Sequence, residues 1–214
     1  MTEGKVSKTG FRPAVGAILT AVCVVMGVYS CGLRAAGQEI GTSPYSEPVI
    51  TILKPERAEG RGYRLEYTVN APLDVTWRFK TDFNSRIVLT NKMILSHRLI
   101  SRSGDAVITE TVQSNKPKSV FKWKTTLFPD QHRLEFVLLD PDDCGMDYFY
   151  GSIVMQAVGS ATRVTQVAYL DFFGVSLWVH YPFHGGMSQT LNDNVHWEQQ
   201  AVMTYWRDGK SGAE

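Results

Sequence analysis

Cysteine is scarce in this chain, charge of either sign is not in excess, and the common catalytic signatures are missing. Three cysteines occur in 214 residues. Cys23 and Cys31 lie in or beside an apolar N-terminal run, so Cys144 alone remains for a folded domain and no disulfide can close within it. Asp140, Asp142, Asp143 and Asp147 surround Cys144 in sequence and disfavour a thiolate, so Cys144 reads as a structural residue rather than a nucleophile. Lys and Arg number 22 against 21 Asp and Glu. That balance argues against nucleic acid as a partner, because such binding rests on many phosphate contacts. There is no Gly-rich phosphate loop, no paired-cysteine zinc motif, no nucleophile elbow and no His-Glu-x-x-His.

The weaker catalytic and metal signals are few. His180 and His184 stand four apart, as two ligands on one helical face would, but Pro182 between them opposes a regular helix. The acidic loop at 140–147 lacks the spacing of a twelve-residue calcium loop and reads as a solvated turn. Acid–base chemistry would have to come from Glu110, His180, His184, Asp193 or His196. His196, beside Trp197, is the best candidate, with Glu110 next; a histidine satisfied on a helix face is the bland alternative. No metal and no cofactor are expected.

The N-terminus is the first positive signal. Residues 1–12 carry Lys5, Lys8 and Arg12, and residues 13–30 carry no charge. A basic start followed by an apolar run is the pattern of an export signal or an N-terminal anchor, ending at Arg34, so 1–34 is assigned to it. Three fates stay open. Val28-Tyr29-Ser30-Cys31 resembles a lipobox, which makes Cys31 a lipidation candidate; a peptidase could cut near Ala35-Ala36-Gly37; or the run stays as an anchor. Each puts the domain outside the cytoplasm, membrane-associated or periplasmic, with the basic residues on the inner side. Residues 35–62 are rich in Gly, Pro, Ser and Glu and read as a linker, ending in a short extended piece at 49–53.

From Tyr63 onward the pattern is that of a folded domain, 63–208. Tyr63, Leu65, Tyr67 and Val69 alternate with polar residues as a half-buried strand does. Asn70 and Pro72 then suit a helix start, and a second short helix or loop follows over 87–93. Segments 94–102, 106–113, 119–128, 132–139, 146–157 and 162–172 read as strands joined by short turns, with Ser103-Gly104-Asp105 and Gly159-Ser160 as hairpin signals. Residues 186–207 place Met187, Leu191, Val195, Met203 and Trp206 at near-helical spacing. The order is strand, two short helices, about six antiparallel strands and one long helix, an α+β class with a sheet of about seven strands.

That order resembles the START-like helix-grip superfamily (SRPBCC), which includes polyketide cyclases and dehydrases, lipid-transfer domains and quinone-binding proteins. Residues 67–77, Tyr-Thr-Val-Asn-Ala-Pro-Leu-Asp-Val-Thr-Trp, resemble its strand-to-helix opening, and 159–165 its late hairpin. The resemblance implies a long C-terminal helix across the concave face of a curved sheet, with an apolar cavity between them. Inward positions that would line it are Tyr67, Trp77, Phe79, Trp123, Leu134 and Phe136, with Met187, Leu191, Val195 and Met203 from the helix. Each of these could equally be plain core. The expected partner is a hydrophobic small molecule, taken up by a monomer held at a membrane by its anchor or a lipidated cysteine. An acid–base cyclase or dehydratase is the alternative, and an envelope protein with a filled core the third reading.

Overall fold

The computed structural model describes residues 46–54, 60–114, 116–171 and 186–211. The expected leader, Cys31, His180 and His184 lie outside the described residues, as does the side chain of Met187. Eight strands form one antiparallel sheet. They are β1 (Val49–Leu53), β2 (Arg61–Val69), β3 (Ile94–Ser103), β4 (Ala106–Gln113), β5 (Lys116–Phe128), β6 (Arg133–Leu139), β7 (Tyr148–Val158) and β8 (Ala161–Asp171). Helix α1 spans Leu73–Thr81 and α2 spans Gly186–Ser211.

The spatial order is β1-β2-β8-β7-β6-β5-β4-β3. After β2 the chain crosses the sheet through α1 and a 3-10 turn at Arg86–Thr90. It then meanders back from the far edge until β8 lies beside β2. Tight turns drive the meander: Gly104 (φ 56°) and Gly159 (φ 61°) supply the positive dihedral that two-residue hairpins need. The sheet has eight strands rather than about seven because Val49–Leu53 pairs in register along β2, Val49 opposite Glu66 and Leu53 opposite Gly62. That segment was expected only as the extended end of a linker; its run of apolar and β-branched residues has no alternation to mark it as sheet.

Strand alternation sorts the sheet into two faces. Leu65, Tyr67 and Val69 of β2 face the helices, as do Leu134 and Leu138 of β6 and Ile153 and Met155 of β7. Gly151 stands where the sheet has no room for a side chain. A Cβ there would lie 2.1 Å from the Val167 carbonyl oxygen and 2.7 Å from Phe136 Cζ, so the Phe136 ring packs where a side chain would otherwise stand. Helix α1 starts after Pro72 rather than at Asn70. The backbone N–H of Thr76 donates to the Pro72 carbonyl, and Asp74 in the first turn pairs with Arg78. Thr76 Oγ1 and Thr162 Oγ1 meet at 3.2 Å in the buried interior, and Thr162 Oγ1 donates to the Ala71 carbonyl at 2.8 Å, which fixes α1 on β8.

Candidate functional site

The inner face, under the helices, is built in two zones. One is filled. Tyr67, Phe79, Leu134 and Val195 are buried among Val69, Val75, Val164 and Val202. Phe79 stands edge-on to Tyr205 at 5.7 Å and tilted against Trp197 at 6.4 Å, so it packs α1 onto α2. Trp77 packs edge-on against His132 at 5.5 Å, at the turn between β5 and β6. These positions, expected on a cavity wall, pack into or against the core that joins the elements.

The second zone is less closed among the described residues. Trp123 of β5, Phe136 of β6 and Phe149 of β7 point to the inner face at neighbouring positions and remain half-buried. Trp123 meets Phe149 edge-on with ring centroids 5.0 Å apart and Phe136 at 5.9 Å, and Phe121 stacks on Trp123 at 6.5 Å. Thr109 and Thr125, both buried, flank the tryptophan, and half-buried Gln166 lies opposite Ile153. From the helix side, Leu191 and Met203 are half-buried. The zone thus presents aromatic edges and faces with a few polar groups beside them, which suits a flat or flexible apolar guest. An open groove of about 550 Å³ lies on the opposite face, lined by Lys124, Glu135, Val137, Tyr150 and Tyr169 and reached by Phe136 beside Gly151; it is not the interior space expected from the sequence.

A polar network sits between the helices and β2. The Tyr67 hydroxyl donates to Glu198 Oε1 at 2.7 Å, and Lys80 Nζ donates to Glu198 Oε2. The side chains of Lys80 and Glu198 are only 13% and 10% exposed. Burial pushes the Tyr67 pKa well above its ordinary value, and the adjacent Glu198 charge and hydrogen bond push the same way. Tyr67 therefore stays protonated and acts as a donor. Both carboxylate oxygens of Glu198 are engaged, so the network reads as a clasp joining β2, α1 and α2. Gln199 continues it, its Nε2 donating to the carbonyls of Thr68 at 2.8 Å and Ser46 at 3.0 Å.

Glu110, the second acid–base candidate, is not among the inward residues. It lies on the outer face of β4, away from the helices, and accepts two hydrogen bonds from Arg98 of β3. Thr109 and Thr111, its neighbours in sequence, are the residues that face inward. His196 is on α2 beside the chain preceding β1, with Nε2 3.5 Å from the exposed Glu47 carboxylate. Asp193 is exposed and accepts from Gln189. Cys144 is 1% exposed and its thiol donates to the Val120 carbonyl at 3.5 Å. His97 was missed. Its Nε2 donates to the Phe83 carbonyl at 3.2 Å, which leaves Nδ1 to accept from Thr111 at 3.0 Å. Burial lowers its pKa below the ordinary value, against the opposing pull of the Phe83 bond.

No family model matches the chain, and no curated protein matches it. Solved structures do. A protein of Thermus thermophilus aligns with a TM-score of 0.57 at 16% identity, covering 67% of this chain and 97% of that one. The chain has the START-like helix-grip fold. Norcoclaurine synthase of Thalictrum flavum aligns with a TM-score of 0.50 at 14% identity, over 81% of this chain and 99% of the synthase. An aromatase/cyclase of Streptomyces sp. R1128 aligns with a TM-score of 0.50 at 10% identity, over 67% of this chain and 93% of that one. The curved antiparallel sheet and long C-terminal helix expected from the order of elements are therefore those of the helix-grip proteins.

Proposed function

We propose that this protein holds a hydrophobic small molecule on the inner face of its sheet, against Trp123, Phe136 and Phe149. The observation that carries this reading is that these inward aromatic rings stay half-buried while the core around Tyr67 and Val164 is closed. Half-buried aromatic rings gain when something apolar covers what remains exposed, and each Å² removed from water is worth about 25 cal/mol. The guest is of the class of a lipid, sterol, hopanoid, quinone or polyketide, and the protein passes it between membranes. Two further observations support the reading. The apolar run at 13–30 would keep the domain beside a membrane. A protein of the same fold, norcoclaurine synthase, has been solved with dopamine and hydroxybenzaldehyde, so this architecture can hold ring compounds.

The alternative, an acid–base cyclase or dehydratase, has weaker support: Glu110 faces outward and the Tyr67–Glu198–Lys80 atoms are spent on one another. The test is organic extraction of the purified full chain followed by mass spectrometry, before and after incubation with lipid vesicles. A reproducible co-purifying or acquired apolar compound is expected. Protein that stays empty in both arms contradicts the reading.

A further inference from the structure

The edge of the sheet farthest from β1 carries a surface with its own chemistry. Between Asp82 and Asp105 the chain holds Arg86, Lys92, Arg98 and Arg102 and no Asp or Glu. The chain as a whole has a net charge of +1, so this stretch concentrates positive charge that the rest nearly cancels. Arg98 is paired with Glu110 on β4, which leaves Arg86, Lys92 and Arg102 as the cations of the segment with no ion pair among the described residues. The same stretch exposes large apolar side chains. Leu89 is 46% exposed in the 3-10 turn, Leu95 57% and Ile100 43% on the edge strand β3.

Both leucines lie where the backbone departs from regular pairing. Leu89 is in the 3-10 turn, and Leu95 falls at a register irregularity between Ile94 and Ser96. An edge strand with bulges is a poor template for a second strand, so the surface is not built for sheet extension. The segment is nonetheless held firmly. Trp197 Nε1 donates to Thr90 Oγ1 at 2.9 Å, Asn91 Nδ2 donates to Asn194 Oδ1 at 3.1 Å, and the Met93 N–H donates to Asn91 Oδ1 at 2.9 Å. Each of the first two bonds ties it to α2.

Exposed leucines flanked by cations that have no ion pair among the described residues, on a rigid support, fit one kind of partner better than others. A nucleic acid would use the cations and leave the leucines in water. A bilayer with anionic headgroups uses both, since apolar side chains enter the headgroup boundary while Lys and Arg meet the surface charge. We propose that Arg86–Leu95 is a docking surface for an anionic lipid bilayer, with Leu89 and Leu95 inserting and Arg86 and Lys92 pairing with headgroups. It lies outside the N-terminal run in sequence and holds whether or not the inner face carries a guest.

The test reads the surface locally, so the N-terminal run cannot mimic it. In a full chain with Cys23→Ser and Cys31→Ser, Leu89→Cys is labelled with a polarity-sensitive dye, Cys144 being buried. Vesicles of equal parts phosphatidylglycerol and phosphatidylcholine should shift the dye emission to the blue. Pure phosphatidylcholine should shift it at least tenfold less at the same lipid concentration. Arg86→Glu with Lys92→Glu should abolish the shift, and a dye on Val158→Cys, exposed at the far β7–β8 turn, should not respond. No shift at position 89, an equal shift with neutral vesicles, or a shift produced by RNA and not by vesicles would each overturn the proposal. Failure here leaves the mass of any extracted guest unchanged, so it is distinguishable from failure of the inner-face reading.

Discussion

Replacing Lys80 with Met removes the ammonium that faces Glu198 Oε2, in a place where both side chains are nearly closed to water. Stripping one partner from a buried pair leaves a charge without compensation and costs roughly 3–5 kcal/mol. The residual exposure of 13% and 10% keeps the value at the low end, about 3 kcal/mol. For a domain of this size that is a fall in Tm of roughly 6–12 °C. Glu198→Met should cost a similar amount, since it orphans both Lys80 and the Tyr67 hydroxyl. The double variant Lys80→Met, Glu198→Met removes both charges and leaves one hydroxyl unsatisfied, so it should cost only about 1–2 kcal/mol. It is thus more stable than either single variant. Urea unfolding followed by tryptophan fluorescence measures all three. A Lys80→Met cost under about 1 kcal/mol, or a double variant whose cost equals the sum of the singles, would refute the clasp argument.

Four further outcomes follow from the same geometry. Tyr67 keeps its proton in the folded state above its ordinary pKa, so the folded form holds more protons at alkaline pH. Stability should be full below about pH 10 and decline as pH rises beyond it, and Tyr67→Phe should lose that slope in alkaline urea titrations. His97 runs the other way: its lowered pKa means the unfolded chain takes up a proton first. Stability should hold above about pH 6.5 and fall as pH drops below it, and His97→Gln should flatten that fall. Gly151→Ala should destabilise by about 2 kcal/mol or more, because the added carbon meets the Val167 carbonyl and the β7–β8 backbone cannot yield cheaply. Glu110→Gln should change stability by less than about 1 kcal/mol and leave the extracted guest unchanged, since its ion pair with Arg98 is on the outer face.

Most of the architecture could be read from the chain because period-two patterning is strong where one face is wet. Tyr63, Leu65 and Tyr67 against Arg64 and Glu66 announce β2 without ambiguity. Val49–Leu53 does not, because an edge strand of Val, Ile, Thr and Leu shows no alternation. The site was less legible. In Tyr148-Phe149-Tyr150 all three residues are aromatic, so no pattern singles out Phe149 as the one that faces Trp123. Alternation in β4 runs through Thr109, Glu110 and Thr111, where the residue that looks functional is the one turned away. The Tyr67–Glu198 bond links positions 131 apart, and a glutamate on a long helix reads as surface until the fold brings it to a buried tyrosine.

On the proposed reading the guest sits on the half-buried aromatic cluster. Labelling the full chain with 5-fluorotryptophan and following the fluorine resonances during loading from a total lipid extract tests it directly, with each Trp assigned by substitution. The Trp123 resonance should move on loading while Trp77, packed against His132, stays in place. A Trp123 signal that does not move while a guest is bound, or that moves no more than Trp77, would contradict the account.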